Sequence, residues 1–340
     1  IDGLDLQFTQ GKMFIHVKDF ETDVAFAMLG SRLEAEVKKF QLAVNNIIAP
    51  KKPDIELKRL TLKFWMELNK GELGVRDLLL KLAQKTQINI PSLLMKLAGP
   101  EFHFDNMKLF VASSDLQNIL PTYPVKPDLN ATISVHGALD GLKAKLDASL
   151  GKLLLKLKAD AGVLSQSFDV DLDVKHADGA EIMGNPALKS SASLHAIVKG
   201  KGFSPANMKA DVKLHVGKGY FQQYTFDRVD LIAKIHKSFM TLYKLEVRTP
   251  YAKIDMPKTG QVDYLKGSMD VILKGVVADL RKVGRLIKQK MSGYVSFWAH
   301  AKAKAEFNPS AKLKVRIRRF RHPSARVRKA DLPPRSRPPT

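Results

Sequence analysis

Hydrophobic and polar residues alternate along most of this chain. In LYKLEVRTPYAKIDM (242–256), Tyr243, Leu245 and Val247 alternate with Lys244, Glu246 and Arg248. After Thr249-Pro250, Ala252, Ile254 and Met256 alternate with Tyr251, Lys253 and Asp255. A period of two sends successive side chains to opposite faces of a strand, so each segment carries one apolar and one charged face. The pattern recurs. Leu60, Leu62, Phe64, Met66 and Leu68 alternate with Thr61, Lys63, Trp65 and Glu67, and Leu142, Ala144, Leu146, Ala148 and Leu150 with Lys143, Lys145, Asp147 and Ser149. Phe168, Val170, Leu172 and Val174 enclose Asp169, Asp171 and Asp173, while Val229, Leu231, Ala233 and Ile235 alternate with Asp230, Ile232, Lys234 and His236. Gly, Asn, Pro and Asp-Gly punctuation between such runs predicts a strand–turn–strand meander. Helical spacing is confined to 113–120, 276–290 and part of 76–97. The class predicted is mainly β, with a few short helices.

Loose internal repetition accompanies the alternation. FVASSDLQNILP (110–121) and LKGVVADLRKVGRL (273–286) each run from a strand into an Asp-Leu that opens a short helix. Asp115 and Asp279 stand where a short carboxylate caps free backbone N–H groups. A strand pair follows each, at 131–150 and 294–315, and a third copy lies at 191–216. Phe203-Ser204-Pro205 and Phe307-Asn308-Pro309 hold equivalent places in their units. The organisation expected is a first β-rich segment over 1–122 and a second over 123–290, with its core at 191–290. A further strand pair begins over 291–315, and an Arg/Pro-rich tail occupies 316–340.

That tail differs in composition. It holds eight of the fifteen arginines and contributes a large share of the formal charge of +22. Five prolines fall in the last 18 residues and the alternation stops. A basic arm for nucleic acid or membrane is one reading; a disordered or aberrant, out-of-frame end is the other, and it is favoured because such a composition cannot form a packed core. With 340 residues and 45% hydrophobic content, the rest can build a substantial core. Cysteine is absent, which removes disulfides, thiolate zinc sites and cysteine nucleophiles. The start at Ile-Asp-Gly leads to the expectation of a fragment or processed form; no apolar run is long enough for a membrane helix, and no signal peptide is visible.

No catalytic signature is present: no H-E-x-x-H, G-x-S-x-G, Walker loop or strand-linked G-x-G-x-x-G. His16, His136, His215 and His236 fall at polar positions of strands without a partner at ligand spacing, and read as exposed strand histidines. Asp169, Asp171, Asp173 and Asp178 superficially offer a calcium loop, but Val170, Leu172 and Val174 continue a strand face through it. No metal, no cofactor and no enzyme activity are expected. Lysines are spread over many strands, there are two tryptophans and no aromatic–basic motif, so specific nucleic-acid binding is not expected. Strand lysines also block edge-to-edge pairing and attract anionic headgroups.

The apolar faces need cover, because an aliphatic side chain left in water forgoes roughly 1.5–3 kcal/mol of burial. A second sheet would make a sandwich; a long sheet curled into a trough would fill its apolar inside partly with side chains and partly with lipid. Length and repetition favour the trough, and periodicity alone leaves both open.

Residues 202–283 resemble the AsmA/TamB-like proteins of diderm bacterial envelopes. That family pattern has a Thr-Phe-Asp strand, a strand pair joined at Thr-Pro, a Gly-x-Val strand and a strand–Asp-Leu step into a short helix. The counterparts here are Thr225-Phe226-Asp227, Leu245 to Ala252, Gly260-Gln261-Val262 and Asp279-Leu280. Residues 131–150 resemble the same family's recurring strand pair, and the likeness extends over about 110–315. It implies an elongated, curved antiparallel sheet forming an apolar, taco-like groove. It further implies a phospholipid or other membrane lipid as partner, and a role in carrying lipid between inner and outer membrane. The location implied is the periplasm, with anchoring by an N-terminal inner-membrane helix that this chain lacks. Two departures are visible: that missing helix, and the AHAKAKAE stretch (299–306), which lacks the turn glycines of its siblings. The residues expected to line the groove are Val212, Leu214, Val216, Val229, Leu231, Ala233, Ile235, Leu245, Val247 and Ile254. The same pattern serves an ordinary core, as in a closed β-sandwich scaffold or adhesion module.

Overall fold

The computed structural model describes residues 4–10, 13–45, 55–82, 85–119, 122, 124–286, 289–304, 308–322 and 325–332. The chain divides into two compact units, residues 1–165 with 177–187, and residues 166–176 with 188–340. The boundaries expected at 122 and 290 fall inside these units.

The first unit contains β1 (Leu4–Gln10), β2 (Met13–Leu29), β3 (Arg32–Asn45), β4 (Ile55–Glu67), β5 (Glu72–Leu82), β6 (Thr86–Lys96) and β7 (Glu101–Val111). Helix α1 (Ser113–Ile119), β8 (Leu129–Ala138), β9 (Leu142–Leu150), β10 (Leu153–Gly162) and the short α2 (Gly179–Met183) complete it. Each strand pairs antiparallel with the next in the chain. Directly opposed residues share a face, so the registers align apolar positions into rows. One row runs Ala35, Phe64, Val75, Leu93, Phe104, Val135, Ala144 and Ala159, crossing β3 to β10.

The second unit contains β11 (Ser167–Ala177), β12 (Ser190–Lys201), β13 (Lys209–Val216), β14 (Gly219–Phe221), β15 (Tyr224–Phe226), β16 (Arg228–His236) and β17 (Phe239–Arg248). It continues with β18 (Ala252–Asp255), β19 (Gly260–Asp263), β20 (Ser268–Val277), α3 (Leu280–Leu286), β21 (Ser292–Lys304), β22 (Asn308–His322) and β23 (Ala325–Leu332). Antiparallel pairing runs β12–β13–β16–β17. β18 and β19 divide the next rung between them, each joining β17 to β20. β20, β21, β22 and β23 follow in order. The β14–β15 hairpin sits against the start of β12. Both units are therefore antiparallel meanders, and the mainly β class with three short helices among the described residues is borne out.

Two of the expected helices are present, α1 over 113–119 and α3 over 280–286. α3 starts late because Val276 and Val277 still pair with β21. The third expectation, helix within 76–97, is corrected: these residues form β5 and β6. Asp77 takes a positive φ of 53°, and β5 shifts register there against Leu62 of β4. The bulge places Val75, Leu78 and Leu82 at spacings of three and four, which imitates a helical period on a strand. Of the two expected N-caps, Asp279 accepts the amide N–H of Arg281 at 3.0 Å at the start of α3. Asp115 serves another end: buried in α1, it accepts from the amides of Lys85 and Thr86 (2.9 and 2.7 Å) and the Thr86 hydroxyl (2.8 Å), closing the entry to β6. The strand reading of 168–178 holds, since β11 spans Ser167–Ala177. The Arg-rich end is strand where it is described, because β22 continues through residue 322 and pairs with β23; residues 323–324 and 333–340 of the tail lie outside the described residues.

Candidate functional site

The ten residues expected on one apolar face do share one. Val216 opposes Val229, Val229 opposes Val247, and Val247 opposes Ile254. The row extends at one end to Leu194 and at the other to Gly275 and Phe297. Leu214, Leu231 and Leu245 make the next row, and Val212 opposes Ala233 in the third. Ile235, opposite Ala210 and Met240, closes the set.

Of these ten, Ala233 alone is buried, at 1% exposure; the other nine are half-buried. The rows of the first unit have the same character, from Phe64 through Phe104 to Ala159. Among the described residues no large side chain in either unit is fully buried.

Among the described residues a small apolar cluster is covered in the second unit, and it accompanies a register change between β16 and β17. β16 pairs Ile232 with Lys244 but Ala233 with Leu242, so Tyr243 is extruded as a bulge. Tyr243 is half exposed, and Leu242 takes the place opposite Ala233 at 6% exposure. This corrects the expectation that Tyr243 lies beside Leu245 and Val247. Beside the bulge the strand is interrupted between β18 and β19, and the Met256 amide donates to the Leu245 carbonyl at 3.0 Å. Leu242, Ala233 and Val271 form a small buried cluster, with Met256, Met240, Val262 and Leu273 packed against it. The adjacent apolar pair Leu242-Tyr243, which interrupts the alternation, is the signal that marks this bulge in the sequence.

The opposite face is ionic. Asp230 and Glu246 are opposed across β16 and β17, and Glu246 opposes Asp255 on β18. Glu246 is 7% exposed. It accepts from Arg248 and from Arg228 (3.1 Å), with Lys244 at 3.4 Å and Lys253 at 3.9 Å. These hydrogen bonds, the one from Arg248 foremost, hold its pKa down to about 2 against the opposing effect of burial. Asp230 is also held below its ordinary value, first by the hydrogen bond from His215 (2.7 Å) and then by Arg228 and Lys244. On β20, Asp270 is lowered by His300 (2.6 Å) and Lys302. Cross-strand pairing of this kind suits a water-facing surface.

The histidines read as single do find partners, because strand register joins residues far apart in the chain. His136 opposes His103, with their Nδ1 atoms 3.1 Å apart and Asp105 2.8 Å from His136 Nε2. His195 lies 3.0 Å from Asp173 and 3.5 Å from Asp171. His236 is exposed, and the side chain of His16 lies outside the described residues. The first unit also carries an open concavity of about 490 Å³, bordered by Gln87, Asn89, Lys108, Asn130, Thr132 and Lys156 on the polar face. Among the described residues no helix is long and apolar enough to cross a membrane.

No family model, no curated protein and no solved structure matches this chain.

Proposed function

We propose that this chain is a non-enzymatic lipid-handling protein of the AsmA/TamB type resembled by residues 202–283, whose apolar strand faces form grooves that take up acyl chains while headgroups meet water at the open side. The observation that carries this reading is the half-burial of apolar rows that cross many strands, such as Leu194, Val216, Val229, Val247 and Ile254. A sandwich with two sheets sealed about 10 Å apart would remove such side chains almost completely from water. Here they stay partly exposed, and covering the remaining apolar area gains about 25 cal/mol per Å². A flexible hydrocarbon chain matches a surface built from branched side chains without any fixed polar partner. The ion-paired opposite face around Glu246 supplies the solvated exterior such a carrier needs. In this reading the protein serves the diderm envelope, facing the periplasm and moving phospholipid between the two membranes.

The test is native mass spectrometry of the chain after mild extraction. Phospholipid adducts are expected, and their occupancy falls when Leu214 or Leu231 is replaced by Glu. Protein that stays lipid-free, or adducts indifferent to those substitutions, would overturn the proposal.

A further inference from the structure

We infer that His103 and His136 form a binding site for a zinc-class divalent metal ion on the polar face of the first unit, with Asp105 orienting the His136 ring. This stands apart from lipid handling and uses none of the apolar rows.

The register of β7 and β8 places the two histidines directly opposite each other. Their rings meet edge to face with centroids 4.2 Å apart, and their Nδ1 atoms approach to 3.1 Å. Two imidazole nitrogens sharing a tetrahedral zinc at about 2.0–2.1 Å lie roughly 3.3–3.4 Å from each other. The observed separation is thus within a few tenths of an ångström of the ligated one. Without metal, one of the two nitrogens must carry a proton to make this contact attractive; a metal ion replaces that shared proton.

The far nitrogen of His136 meets the carboxylate that metal-bound histidines characteristically use. Asp105 lies 2.8 Å from His136 Nε2 and 3.7 Å from His103 Nε2. A proton held on His136 Nε2 by Asp105 leaves the Nδ1 lone pair of that ring for the ion, and the same tautomer of His103 presents its Nδ1 beside it. This carboxylate owes its position to a β-bulge. β7 shifts register between Phe104 and Met107, Asn106 takes a φ of 54°, and its amide donates to Ser134 Oγ at 3.1 Å. Bulges of this kind re-aim side chains at sites.

All three groups are accessible, with side-chain exposures of 57% for His103, 37% for His136 and 48% for Asp105. Water can therefore complete the coordination. The donor set also selects the ion: two imidazoles favour zinc, copper or nickel over calcium and magnesium, which take oxygen. The other histidine–carboxylate cluster, Asp171, Asp173 and His195, offers a single imidazole and is the poorer site for such an ion.

Calorimetric titration of the metal-stripped full chain with zinc chloride tests the inference. One site per chain is expected, lost in His103→Asn and in His136→Asn and retained in His195→Asn. Asp105→Asn, which keeps an acceptor but removes the charge, is expected to weaken binding by about tenfold or more. The exposed positions permit all four variants to fold, and unchanged far-ultraviolet circular dichroism verifies this. Absence of zinc binding, or binding that survives in His103→Asn and His136→Asn, overturns the site. Loss in His195→Asn alone overturns it too and moves the metal to the other cluster.

Discussion

Glu246 of β17 and Arg228 of β16 meet at 3.1 Å across the polar face of the second unit, and Lys244, Arg248 and Lys253 surround the same carboxylate. A carboxylate so placed is stabilising only while ionised. Its folded pKa of about 2 lies below the ordinary 4.5, so its contribution is complete above about 4.5 and is lost as pH falls from there toward 2. Glu246→Gln is expected to lower stability at neutral pH by about 1–3 kcal/mol and to flatten the acid limb within that window. Denaturant unfolding across the window checks both, and an unchanged acid limb counts against this role.

Phe297 lies across Gly275, its partner in the β20–β21 register. A Cβ on Gly275 would fall 2.0 Å from the ring. Gly275→Ala therefore forces the ring aside, at an expected cost of about 1–3 kcal/mol. Phe297→Leu in the same background is expected to recover part of the loss, and thermal unfolding of the four-member cycle measures it. Strict additivity would show that the two do not compete for space.

Asp115 gathers three hydrogen bonds at the entry to β6. Asp115→Ala takes the carboxylate acceptor away from the part-buried amides of Lys85 and Thr86, with an expected loss of about 1–3 kcal/mol. The local signature is faster hydrogen exchange at the Thr86 amide, beyond any global change. If that amide keeps its protection, Asp115 is an ordinary helix residue.

Leu242 is 6% exposed, and Leu164 is 74% exposed. Truncation of Leu242 to Ala is expected to cost about 2–5 kcal/mol, whereas Leu164→Ala stays within about 0.5 kcal/mol. Equal effects would mean that the Tyr243 bulge does not select the inward leucine.

Much of the fold was legible because strand alternation is a local property. Leu142 to Leu150 and Val229 to Ile235 take the faces their period assigns, and the ten groove candidates fall in rows as that period requires. The failures sit at bulges. Asp77 converts a strand into a helix-like spacing, and Tyr243 exchanges places with Leu242. One extra residue reverses the faces beyond it, and the choice of where to extrude it depends on the neighbouring strand. The pair His103 and His136 was invisible for the related reason that its members stand 33 positions apart in the chain.

The sequence by itself determined that the chain is a β meander with one apolar and one charged face, since a period of two needs only consecutive residues. Tertiary structure alone decided which strands lie side by side, which residues are opposed, and that the apolar rows remain half-covered. Those depend on hydrogen-bond register between distant segments and on what packs above a face, neither of which a local pattern encodes. Hence Ala233 and Leu242 are buried while Leu231, of the same pattern, keeps an open edge.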